Sequence, residues 1–114
     1  MKTIIFNSFE ELEPYFIMLK SHKVDIVGMI TQIHMSAANG YKMVGKVDIV
    51  KPDGSKVPLF SEKALIGDGL ILRDLLIPVG IGDYIRLFGE SYDDTNTNYC
   101  HIAVTVNTID IYRQ

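Results

Sequence analysis

Gly82-Asp83-Tyr84-Ile85-Arg86-Leu87-Phe88-Gly89-Glu90 is the stretch whose reading decides the fold. A Gly-Asp turn leads into strict alternation. Ile85 and Leu87 fall on one face, and Tyr84, Arg86 and Phe88 fall on the other. Period-two alternation is the mark of a strand with one face in a core. Here the opposite face carries two aromatic rings with an arginine between them. Exposed rings beside a cation suit a flat ligand better than they suit water.

Working outward, Tyr41 to Lys51 also reads as a strand. Met43, Gly45, Val47 and Ile49 share the core phase, and Lys42, Val44, Lys46 and Asp48 point the other way. Pro52-Asp53-Gly54-Ser55 is a hairpin turn, and Lys56 to Phe60 is a short strand that Pro58 confines to an edge. Lys23 to Met35 is a long strand with apolar residues on both faces. Gly28 at its middle predicts a bend that lets it serve two sheets. Ser36 to Gly40 ends in Asn-Gly, a turn signal. Tyr99 to Tyr112 is the last strand; Ile102, Val104 and Val106 are out of phase with Ile109 and Ile111, which predicts a bulge near Asn107-Thr108. The polar tip 93–98 joins it to the strand before.

Two helices are expected. Ser8-Phe9-Glu10-Glu11 has the form of a capping box, and Phe9, Leu12, Phe16 and Leu19 recur at helical spacing. Pro14 is unwelcome in the second turn of a helix capped by Ser8, so the alternative start is near Glu13, with Pro14 in the first turn. Either way this N-terminal helix spans 8–22. The second helix runs from about Leu70 to Ile77, capped by Asp68 of Gly67-Asp68-Gly69.

Composition frames one domain, residues 1–114. The chain is 47% hydrophobic and 22% charged, with net charge −3. The length and apolar content supply a core without staples. One cysteine, Cys100, makes no internal disulfide. His22, His34 and His101 are scattered without metal-site spacing. No glycine loop matches a phosphate-cradling pattern, and no nucleophile has a base partner. The expectation is a non-enzymatic protein with no cofactor and no metal. The apolar run after Lys2 within Met1–Ile5 is too short for a signal peptide or a membrane span, so the expected setting is intracellular, cytoplasm or nucleus, with no membrane partner. The acidic balance opposes strong sequence-blind binding to phosphates. Charge is uneven, however: residues 42–56 hold four lysines and two aspartates, whereas 8–20 hold three glutamates and one lysine.

Val24-Asp25-Ile26-Val27-Gly28-Met29-Ile30, Val47 to Gly54, Val57-Pro58-Leu59-Phe60 and Gly82 to Gly89 together resemble the OB-fold of nucleic-acid-binding proteins, the branch of replication protein A and telomere end-binding domains. The resemblance covers most of 24–112. It implies a mainly β, five-stranded Greek-key barrel over 24–112, with a helix between strands three and four and an extra N-terminal helix. It implies a ligand surface of Tyr41, Lys42, Val44 and Lys46, with Phe60, Tyr84, Arg86 and Phe88 extending it and Tyr92 and Tyr99 bracketing the polar loop. The ligand implied is single-stranded DNA or RNA, with bases stacked on rings and phosphates on lysine and arginine.

A second reading stands beside the first. Tyr84 and Phe88 pack under the N-terminal helix, and Arg86 pairs with Glu10, Glu11 or Glu13. Phe60 is core, Tyr41 is an ordinary hairpin aromatic, and Lys42 and Lys46 are solvated charges. The function is then protein interaction: a small subunit docking on a larger nucleic-acid-binding partner through 8–22, or a homo-oligomer.

Overall fold

The computed structural model describes residues 2–109. Ten strands follow one another: β1 (Thr3–Leu12), β2 (Ile17–Lys23), β3 (Gly28–Ala37), β4 (Gly40–Val50), β5 (Lys56–Pro58), β6 (Ala64–Gly67), β7 (Leu70–Leu72), β8 (Ile77–Val79), β9 (Tyr84–Ser91) and β10 (Asn98–Thr108). They form two antiparallel five-stranded sheets. The first runs β1-β10-β3-β7, with β8 also paired to β3. The second runs β2-β9-β4-β5, with β6 also paired to β4.

This corrects the expected barrel. Three pairs of strands adjacent in sequence do not pair as neighbours: β1 and β2, β3 and β4, and β9 and β10 each divide between the two sheets. The result is an elongated sandwich, 59 × 27 × 22 Å, not a closed Greek-key OB barrel.

Among the described residues neither helix forms. The 8–22 segment is instead two strands around a turn at 13–16, where Phe16 N–H donates to Glu13 O at 3.0 Å. Tyr15 takes the left-handed conformation there, φ 64°. Ser8 does not cap a helix; it is buried, and its hydroxyl donates to Met18 Sδ at 3.2 Å. Leu12 and Met18 face the core, while Phe9, Phe16 and Leu19, the residues that gave the helical spacing, are exposed. The 70–77 segment is β7, a turn and β8. Gly67 and Gly69, at φ 61° and 124°, build the turn that reverses the chain between β6 and β7, and Gly69 N–H closes it on Ile66 O at 3.1 Å. Only glycine takes such angles freely.

Within β3, the apolar content of both phases has a single cause. The register of β3 on β10 skips Thr31: Gln32 opposes Thr105 and Ile30 opposes Val106. That extra residue turns the phase, so Ile30 and Ile33 are both buried. The bulge therefore lies in β3, not at Asn107-Thr108. The stretch of the last strand from 110 to Tyr112 lies outside the described residues.

The core is the inward faces of both sheets. Ile33, Met35, Ile102 and Val104 meet Met43, Val47, Ile85 and Leu87, all fully buried. Burying each such side chain is worth about 1.5–3 kcal/mol. The inward residues of β9 fix which way its other face points: Tyr84, Arg86 and Phe88 turn outward on the second sheet.

Candidate nucleic-acid interface

The second sheet presents its outward face as rows set by strand register. Leu19, Phe88 and Lys46 form one row across β2, β9 and β4. Ser21, Arg86, Asp48 and Pro58 form the next, and Lys23, Tyr84, Val50 and Lys56 the one after. Ile17, Glu90, Val44 and Leu65 lie on the other side. An open cleft of about 270 Å³ lies at the middle, lined by Leu19, Lys46, Asp48, Lys63, Arg86 and Phe88.

Lys63 Nζ stands 5.2 Å from the centroid of the Phe88 ring and donates to Glu90 Oε1 at 2.8 Å. That hydrogen bond, reinforced by the Glu90 charge, raises the Lys63 ammonium above its ordinary value. Lys46 Nζ and Arg86 Nη2 approach Asp48 Oδ2 at 3.7 and 3.9 Å. Both separations exceed hydrogen-bond length, so each cation keeps donors for another acceptor. Asp48 is 6% exposed, and its Oδ1 is buried with no hydrogen-bond partner among the described residues. Three cations stand here against two carboxylates, a local positive balance on an acidic chain.

Several expected residues come together on this face: Val44, Lys46, Tyr84, Arg86 and Phe88. Lys42 and Tyr92 stand at its end, joined by a 2.7 Å bond from Tyr92 N–H to Lys42 O; Lys42 also pairs with Asp94 at 3.9 Å. Others are elsewhere. Tyr41 lies at the start of β4, its hydroxyl donating to Asp68 Oδ2 at 2.9 Å. That bond raises its pKa. Phe60 packs against the core. Tyr99 belongs to the first sheet, where it stacks on Phe9 at 5.8 Å. His34 and His101 meet edge to face nearby, 6.1 Å apart.

The packed reading of Tyr84 and Phe88 does not hold. Among the described residues no helix covers them; Leu19 of β2 sits beside Phe88 in register, and Arg86 faces Asp48, not Glu10, Glu11 or Glu13. Leu19 and Lys63 were missed as site residues. Leu19 is in period-two phase with Ile17, a signal that the helical reading of 8–22 masked. Lys63 lies in a polar loop without a periodic signal.

A larger cavity, about 510 Å³, opens on the first sheet beside the bulge and is lined by Thr31, Gln32, Arg73, Asp74, Leu75, Leu76 and Asn107. It has neither an aromatic ring nor a cluster of cations. Among the described residues no three His, Cys, Asp or Glu side chains are grouped to hold a metal, and no helix is long and apolar enough to cross a membrane. Family models, curated proteins and solved structures offer no match to this chain.

Proposed function

We propose that the outward face of the second sheet binds single-stranded DNA or RNA, without catalysing a reaction. The observation that carries this reading is the cleft in which the Phe88 ring, Lys46, Arg86 and Lys63 stand together on one sheet face. Tyr84, 40% exposed, continues the aromatic surface along β9. A base stacked on such a ring contributes about 1–3 kcal/mol regardless of sequence. Lys63 lies over the ring a base would take, and its half-exposed side chain would exchange its bond to Glu90 for one to a phosphate. Lys23 and Lys56 flank the same face and extend the track for a phosphate backbone.

The test is fluorescence anisotropy of labelled single strands of about 20 bases, longer than one such binding site, at low and at physiological salt. Micromolar or tighter binding that weakens with salt supports the reading. Failure to bind at low salt, where charges are least screened, removes it.

A second reading has its own support at the 13–16 turn and the strand residue after it. Tyr15, Phe16 and Ile17 are 63%, 56% and 54% exposed, an apolar tip suited to a protein surface. On that reading, residues 8–22 dock the chain on a larger subunit or on a second copy. Concentration-dependent mass of the isolated protein, with and without Phe16→Ser, separates self-association from a monomer.

A further inference from the structure

We infer that the cleft on the second sheet selects thymine or uracil, with Asp48 reading the base edge; the inference rests on the single-strand reading of that face. Asp48 is the clue. It lies on the outward face of β4, in register with Arg86 and Pro58, yet it is as buried as a core residue. One carboxylate oxygen has no partner among the described residues. The other oxygen has Lys46 and Arg86 within 4 Å, neither at hydrogen-bond distance.

Oδ2 is therefore the acceptor the cleft offers, with a donor from Lys46 and one from Arg86 beside it, while Oδ1 lies buried behind it. The complement of these three groups is an edge with one donor flanked by two acceptors. Thymine and uracil have that edge, with the N3–H between the O2 and O4 carbonyls. Cytosine carries a lone pair at N3, which would face the carboxylate. Adenine carries a lone pair at N1 beside its amino group. Guanine presents two adjacent donors and one carbonyl. With the base stacked on Phe88, its N3–H donates to Asp48 while Lys46 and Arg86 donate to the two carbonyls. Lys46 is opposite Phe88 in register and Arg86 is two residues before it on the same strand, so all three reach one base. A cleft of about 270 Å³ is of the size for one small ring rather than a large ligand.

The experiment compares binding of oligothymidine and oligocytidine of equal length. Both are flexible pyrimidine strands, so backbone flexibility, a common source of pyrimidine preference, is matched. The expected result is a preference for oligothymidine of about tenfold or more, the discrimination a good edge contact gives. Oligothymidine built from 3-methylthymidine, which keeps both carbonyls and loses the N–H, should fall to the oligocytidine level with the unaltered protein. Asp48→Ala should bind the two strands equally, and a thermal melt checks that it is folded. Equal affinity of the unaltered protein for the two strands overturns the inference and leaves the single-strand reading standing. So does a thymine preference that survives both N3 methylation and Asp48→Ala. Failure to bind any strand at low salt overturns both.

Discussion

Gly45 and Gly89 face each other across β4 and β9, and side chains of the opposite sheet fill the space above them. A Cβ on Gly45 would stand 2.5 Å from Met35 Sδ, and one on Gly89 2.5 Å from Cys100 Sγ. The pair of glycines lets the two sheets close at the level of Phe88 and Lys46, directly behind the candidate site.

Gly89→Ala should therefore overpack the core. The expected cost is about 1–3 kcal/mol, seen as a fall in melting temperature of about 4–8 °C for each kcal/mol. Because the clash is with Cys100, the double variant Gly89→Ala, Cys100→Ala should lose less than the two single losses combined. Additive losses would show that the sheets do not meet there.

Cys100 is fully buried. Burial, with a smaller contribution from Glu10, pushes its thiol up to about 12. The thiolate is the reactive form, so the folded protein should resist a thiol reagent at pH 8 and react on addition of denaturant. Rapid labelling without denaturant would contradict the packing of β10 against β9.

Lys23 and Lys56, which flank the face, should set part of the salt dependence. Each phosphate neutralised on a single strand adds about 0.7 to the slope of log affinity against log salt. Lys23→Ala, Lys56→Ala should weaken binding and flatten that slope by about one to one and a half. An unchanged slope would place the phosphates elsewhere.

The turn after β9 should fail only in acid. Asp93 Oδ1 accepts from the backbone N–H groups of Asn96 and Thr95, at 2.9 and 3.0 Å. These bonds, Asn96 first, hold its carboxyl below the ordinary 3.8. A folded value below the unfolded one means a contribution present above 3.8 and lost as pH falls through the folded value. The amide shifts of Thr95 and Asn96 should accordingly titrate with a midpoint below 3.8. A midpoint above it would rule out the bonded form of the loop.

Strands with strict alternation were legible in the sequence. β4 and β9 appear within about two residues of their expected ends, and their inward and outward sets match the expected phases. What failed was pairing and the short segments. Adjacent strands suggested a Greek-key barrel, but pairing between distant strands is decided by tertiary packing, which local pattern does not encode. In 8–22, Phe9, Leu12, Phe16 and Leu19 satisfy helical spacing by accident, because exposed Phe9, Phe16 and Leu19 were counted as core. The true inward pair there is Leu12 and Met18. In 70–77, runs of leucine and isoleucine suit helix or strand equally; the reversal at Gly67–Gly69 and the left-handed Asp74 (φ 57°) break them into short strands. The site followed the same division. Residues on the alternating strands converged, whereas Tyr41, Phe60 and Tyr99, carried over from the OB resemblance, went to the start of β4, the core margin and the opposite sheet.

The central claim, that the outward face of the second sheet is the binding surface, is tested most directly by titrating two double variants side by side with a labelled single strand. Tyr84→Ala, Phe88→Ala removes the rings from that face; Phe9→Ala, Tyr99→Ala removes a comparable stacked pair from the other sheet. The account predicts a loss on the order of tenfold or more for the first, and affinity near that of the unaltered protein for the second. Equal losses, or a loss confined to the second, would contradict it.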